Sequence, residues 1–488
     1  MTPSVAFANG GATRSAMASR QRNDRWGFPE FFVISQTVIP ALLYFPGTQP
    51  FRLYIRTASF VISFATLLWW AVAVAKNSRS HPAQPWIFAA MAYVVVMLFH
   101  PLTSSAFAGL AQLVLYLSVI APIFWAGSFV RTPERLARLM ALLLICNGIN
   151  AVVGVLQVYD PSRWMPPEMS RVMTETVYGL GTVTYHGPDG RMIVRPPGLF
   201  DTPGAVAGPG MYAALLGLVF ATSAIAWWKR LAAIGASFAG IAAIYLSQVR
   251  VSLIVSVLML ASYFSLLLLQ ERRSRAMWFG GAAVVMVVAA FSFALALGGE
   301  SIAERTFTLF AQDPLALYAG SRGGQLSYTF GELLQQYPMG AGLGRWGMIA
   351  VYFGNVSTPG AEPLWVEIQV AGWAIDGGFA LLLLYVGALV VTLKTGAQVA
   401  RAHADVRVRA CASVVLAANI GTAALIFTFT PFVTQIGLQF WFLAGALHGL
   451  VNTDRSRVGS RSSVTVDPRS SVAFGARSSM AAGTGHGS

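Results

Sequence analysis

Charged side chains are scarce in this sequence. Asp, Glu, Lys and Arg make up 11% of its 488 residues, where a soluble globular chain carries roughly a quarter. A soluble fold would have no polar shell, so that class is excluded. Cysteine is nearly absent as well. Cys146 and Cys411 are the only two and both lie in apolar stretches, which suggests neither a disulfide framework nor a cysteine metal site. The first 28 residues are polar and lack the apolar core of a cleaved signal peptide. We read 1–28 as a disordered cytoplasmic tail, and the Ser/Gly/Arg-rich stretch 452–488 as another.

What is abundant is apolar sequence, 56% of residues, in many runs near the length of about 20 that crosses a bilayer. The expected fold is an all-α polytopic membrane protein. Twelve candidate spans lie near 31–48, 53–75, 85–101, 106–130, 137–159, 205–227, 231–248, 251–270, 277–298, 363–393, 410–429 and 431–450. Transmembrane helices 1–5 thus occupy 29–159, helices 6–9 occupy 205–298, and helices 10–12 occupy 362–451. Two large loops, 160–204 and 299–361, separate these groups. The net charge of +14 reports topology rather than a nucleic-acid partner, because cytoplasmic loops collect Lys and Arg. With the N-terminus inside, every second loop is basic: Lys76 and Arg79; Arg131, Arg135 and Arg138; Lys229 and Arg230; Arg272, Arg273 and Arg275; Lys394, Arg401, Arg407 and Arg409. This places both termini in the cytoplasm and both large loops outside.

Arg250 is the only charge between Leu231 and Leu269. A guanidinium at mid-bilayer costs from about 3 to well over 10 kcal/mol, but the span pattern puts Arg250 in a tight turn at the outer end of spans seven and eight. An arginine there would ordinarily snorkel to lipid phosphate. Ser247, Gln248 and Ser252 make this turn polar, however, and each large loop brings another isolated arginine. In 160–204, "GTVTYHGPDGRMIV" alternates around Pro188-Asp189-Gly190, which predicts a β-hairpin delivering Arg195 to the membrane surface. In 299–361, Leu326, Phe330, Leu333 and Tyr337 recur at helical spacing after Ser321 as N-cap, which predicts an amphipathic helix with Arg322 near its start and Pro338 at its end. "MGAGLGRWG" then reads as a flexible connector. Its Gly-x-Gly-x-Gly lacks the strand–helix setting of a nucleotide loop. Arg195, Arg250 and Arg322 would converge on one side of the membrane, where guanidinium forks suit pyrophosphate oxygens.

The stretches "RPPGLFDTPGAVAGPGMYAALLGL", "YLSQVRVSL", "SRGGQLSYTFGELLQQYPMGAGLGRWG" and "EPLWVEIQVAGWAIDGGFALLLL", in this order, resemble the O-antigen ligase and Wzy-type polysaccharide polymerase superfamily. The resemblance covers about 195–380. It implies glycan transfer from undecaprenyl pyrophosphate on the outer face of the bacterial inner membrane, without metal or cofactor. Membrane lipid, a chain-length regulator and a flippase are the further partners it implies. Arg195, Arg250 and Arg322 carry over as pyrophosphate and glycan contacts. Many ligases of this family carry a His-Asn pair before the tenth span. Here no histidine occurs there, and counting back from Asp376-Gly377 puts Glu367 in its register, as expected of a polymerase. Glu367 is the candidate general base and Glu362 the second. Asp376, Asp201 and Gln248 are supporting candidates. For Asp376 a purely structural role beside Gly377 and Gly378 is the competing reading. His186 at the hairpin tip and His100 beside Pro101 read as solvated and interfacial.

Other classes compare less well. A finished-glycan ligase is the nearest alternative. A twelve-span transporter would show two similar halves, but the large loops follow spans five and nine. A metal-dependent membrane glycosyltransferase would want carboxylates in the first outer loop, and "FPGTQPFRLYIR" has none. Cell-wall glycan polymerases share only the broad architecture.

Overall fold

In the computed structural model, residues 26–75, 79–169, 183–311, 313, 316, 318–354, 360 and 362–462 are described. The described residues are mostly helical. The first group comprises α1 (Phe28–Ala41), α2 (Arg52–Ala73), α3 (Gln84–Met97), α4 (Ala106–Ile120), α5 (Pro122–Phe129) and α6 (Pro133–Tyr159). A two-stranded hairpin follows, β1 (Thr184–His186) antiparallel to β2 (Met192–Val194), with Tyr185 opposite Ile193. The second group is α7 (Ala207–Ala221), α8 (Trp227–Ser247), α9 (Arg250–Leu269) and α10 (Arg273–Gly298), continued by α11 (Glu300–Ala311). A helical run over 319–336, the short α12 (Gly347–Phe353), and then α13 (Gln369–Ala402), α14 (Val406–Ala424) and α15 (Gln435–Ser462) complete it.

Among the described residues, eight helices are long and apolar enough to cross a membrane, counting α4 and α5 together, and α1, α3 and α7 are shorter apolar helices. Only 11% of the apolar window of α10 is buried inside the protein. Its Trp278, Val284 and Val285 are exposed, and such a surface needs lipid rather than water. The core lies where helices meet through small residues, because lipid supplies no hydrophobic drive for helix pairing. A Cβ on Gly210 of α7 would meet the Gly240 carbonyl of α8 at 2.8 Å. Close approach of these two helices therefore depends on both residues lacking side chains.

Several details differ from the sequence reading. The helical run over 319–336 passes straight through Ser321, in a π-turn spanning Ala319–Gly323, so Ser321 is not its N-cap. A second π-turn, Thr329–Leu333, interrupts it again. The tenth apolar segment begins extended, and α13 starts only at Gln369. It is then broken at Gly377–Gly378, where Gly378 has φ 57° and ψ −150°, a conformation open essentially to glycine alone. Nor is "MGAGLGRWG" a free connector: Ala341, Leu343, Arg345 and Trp346 are buried. Positive φ at Gly340, Gly342 and Gly344 lets the backbone thread between the break and the Leu102–Thr103 backbone.

One ion pair locks α1 to α6. Glu30 is fully buried. Arg135 donates Nε to its Oε1 at 3.1 Å and Nη2 to its Oε2 at 2.9 Å. By contrast the Arg407–Glu134 pair at 2.5 Å is exposed on both sides. Removing one partner of a buried pair strands the other charge and costs about 3–5 kcal/mol, against about 0–1 at the surface. Glu30→Gln should therefore lower the unfolding temperature of the purified protein by several degrees, and Glu134→Gln should leave it within error.

Candidate functional site

Three arginines gather at the hairpin end of the bundle. The Arg195 N–H donates to the Val183 carbonyl at 2.8 Å, extending the hairpin, and its own carbonyl accepts from Gly204 at 3.2 Å. Between α8 and α9 the chain turns in two residues. Gln248 takes φ +54° and donates its N–H to the Tyr245 carbonyl at 3.0 Å, and Arg250 opens α9. From α11, Arg305 donates Nε to the Gln248 carbonyl at 3.1 Å. Its helix is tied to the hairpin by Ser301 Oγ, which donates to the His186 carbonyl at 2.6 Å.

These cations sense one another. Burial, and then the charges of Arg195 and Arg250, pull Arg305 down to about 10, which leaves it charged at neutral pH. Burial likewise lowers Arg195, with Arg250 adding to it against Tyr185. Among the described residues no carboxylate forms an ion pair with any of the three. The Nε atoms of Arg195 and Arg250 are buried without a hydrogen-bond partner. Like charges gathered without a counter-charge raise the energy of the empty site, and a multivalent anion relieves it.

Arg322 has a different partner. It forms an ion pair with Glu367, at the edge of a cleft of about 420 Å³ between the 319–336 run and the start of α13. Leu333, Leu364, Ala371 and Ile375 line it with Tyr328 and Trp365, and Gln325 and Glu367 add polar groups. Gln325 fixes the strand that carries Glu367. Its Oε1 accepts from the N–H groups of Glu367 at 2.8 Å and Ile368 at 3.0 Å, and its Nε2 donates to the Trp365 carbonyl at 2.8 Å. Glu367 is half-buried and Glu362 is exposed. Glu362 is used through its backbone, whose carbonyl accepts from Arg345 Nε at 3.1 Å and Nη2 at 3.0 Å.

The supporting candidates are held by the following contacts. Asp376 is fully buried. Its Oδ2 accepts from Tyr116 at 2.5 Å, Trp346 at 2.9 Å and Gln112 at 3.2 Å, while Oδ1 has no partner. Asp201 is held by the first turns of α2: Arg52 lies 3.0 Å from its Oδ2, and Arg56 pairs with its Oδ1. Gln248 accepts from Arg305 through its carbonyl, and its Nε2 is buried without a hydrogen-bond partner. The sequence reading missed Arg305, Arg345, Trp346 and Gln325. Arg305 follows Glu304 in an amphipathic helix and looks like an ordinary surface charge. The other three lie in a loop and on a helix face with no periodicity to mark them.

Inorganic pyrophosphate should raise the unfolding temperature of the purified protein at neutral pH. Its affinity should fall about tenfold or more in Arg305→Gln, and Arg250→Lys should also weaken it, because an ammonium lacks the planar fork. Arg191→Gln, in the exposed Arg191–Asp189 pair, should leave the affinity unchanged. Comparison with family models and with curated proteins finds no match, so these side chains are the ground for any reading of function.

Proposed function

We propose that this protein is a multi-pass glycan transferase of the bacterial inner membrane. It would polymerise lipid-pyrophosphate-linked oligosaccharide repeats on the outer face, for an exopolysaccharide or O-antigen. The observation that carries the reading is the cluster of Arg195, Arg250 and Arg305, with which no carboxylate forms an ion pair among the described residues. In this mechanism the arginines hold the donor's pyrophosphate and stabilise the charge that grows on it as the glycosidic bond breaks. An acceptor hydroxyl in the cleft attacks the anomeric carbon from the opposite side, inverting it, and Glu367 takes the hydroxyl proton. Arg322 orients the Glu367 carboxylate. Twelve spans with both termini inside complete the reading.

A finished-glycan ligase uses the same chemistry with another acceptor. The broken α13 with its buried Asp376 favours a different second reading, a transporter, since interrupted helices line transport sites. In this chain, three donors already occupy one oxygen of that carboxylate.

Two experiments test the proposal. In a deletion strain, single lipid-linked repeats should accumulate. Glu367→Gln should fail to restore polymer while still binding pyrophosphate, and Glu362→Gln should restore most of it. Accumulation of full-length lipid-linked chains would mean a ligase, and an unchanged glycan pool would remove the transferase reading. For orientation, a cysteine at Gly187 should react with an impermeant thiol reagent on intact cells and one at Ser274 should not. The reverse pattern would place the arginine cluster on the wrong side.

A further inference from the structure

At the other end of α9, about 30 Å of helix away from Arg250, a second group of arginines comes together. Arg272 sits in the α9–α10 turn, Arg275 in the first turn of α10, and Arg409 in the first turn of α14. All three are half-buried, whereas their basic neighbours Arg273, Arg401 and Arg407 are exposed. Gln270 fastens the helix ends that surround them: its Nε2 donates to the Ala400 carbonyl and to Ser413 Oγ, each at 2.8 Å. Arg275 donates Nη2 to Ser223 Oγ at 3.0 Å, and Arg409 donates Nη1 to the His403 carbonyl at 2.8 Å. The Arg272 side chain makes no hydrogen bond among the described residues. Its guanidinium is pulled down first by burial and then by Arg275 and Arg409.

Several buried or half-buried arginines of this chain do have an acid. Arg135 has Glu30, and Arg52 and Arg56 share Asp201. Here no carboxylate forms an ion pair with any of the three among the described residues. Glu134 and Asp405 both pair with Arg407 instead, and Glu271, beside Arg272 in the turn, is exposed to solvent. The Nε of Arg275 is buried with no hydrogen-bond partner. This end thus gathers a buried donor and three cations at helix ends, with no ion-paired acid among the described residues.

We infer that Arg272, Arg275 and Arg409 form a second anion site, which takes a phosphate-bearing ligand. A membrane phospholipid headgroup and free phosphate share this chemistry. Basic pockets between the ends of membrane helices are the usual seats of anionic headgroups, each arginine adding about 1 kcal/mol. A diphosphatidyl headgroup would span the three guanidiniums, with its acyl chains along the lipid-facing surface of α10.

The test uses the full chain purified in detergent. Cardiolipin is titrated and bound lipid is counted by native mass spectrometry; inorganic phosphate is titrated separately and followed by thermal unfolding. One saturable cardiolipin is expected in the wild type, with affinity falling about fivefold or more in Arg272→Gln, Arg275→Gln and Arg409→Gln. Arg273→Gln removes an exposed charge next door and should not change it. Arg272→Gln breaks no side-chain hydrogen bond, so it remains informative if the other two variants fold poorly. Saturable stabilisation by inorganic phosphate, lost in the same variants without saturable cardiolipin, would support the site with a soluble ligand. Equal loss in Arg273→Gln, or saturation by neither ligand, would overturn it.

Discussion

The interruption of α13 at Gly377–Gly378 is the constraint on which the cleft depends. Where the helix breaks, backbone groups leave its ladder and need other partners. The Ile375 carbonyl accepts from the Ala341 N–H at 2.6 Å, and the Phe379 N–H donates to the Pro338 carbonyl at 3.0 Å. The segment from Pro338 onward is thereby stitched into the break. Asp376 then takes the Trp346 indole N–H, and Trp373 stacks on Tyr385 at 4.4 Å, binding the two halves of α13 together across the gap. Arg345, held in that stitched segment, grips the Glu362 carbonyl, and the Leu364 N–H returns a bond to the Arg345 carbonyl at 2.6 Å. The position of Glu367 is inherited from this chain of contacts. A buried polar network of this kind contributes little net stability, but it defines one arrangement of an otherwise apolar bundle.

Arginine is used in two ways in this molecule. Some guanidiniums are structural and satisfied, such as Arg135 on Glu30 and Arg345 on two carbonyls. Others are gathered with like charges and, among the described residues, no ion-paired acid, at both ends of α9. The second arrangement costs stability in the empty protein, which is why it points to ligands rather than to folding. Arg322 belongs to neither group of like charges. Its ion pair with Glu367 sets it at the edge of the cleft where the proposed base lies.

Much of the local structure is legible in the amino-acid sequence. Apolar run length marks the helices, because a helix satisfies its backbone within the segment itself. Alternation around Pro188-Asp189-Gly190 marks the hairpin, and a lone charge between two apolar runs marks the α8–α9 turn. Glu367 stands out as a carboxylate at the mouth of an apolar segment. These signals are all short-range. The threading of 338–346 into the break runs against its composition, since glycine-rich sequence ordinarily reads as loose chain.

Only the tertiary structure decides which charges meet. Arg195, Arg250 and Arg305 lie on a hairpin, a helix start and a surface helix. Nothing in their spacing selects Arg305 over Arg322, because the grouping depends on how α11 docks on the α8–α9 turn through the Gln248 carbonyl. Asp201 reads as available until Arg52 and Arg56, far away along the chain, are seen to hold it. What the sequence by itself determined was the set of apolar helices and the arginines that interrupt them, properties a segment carries alone. Which arginine is neutralised, and which is left waiting for an anion, is settled by through-space electrostatics between segments that only folding brings together.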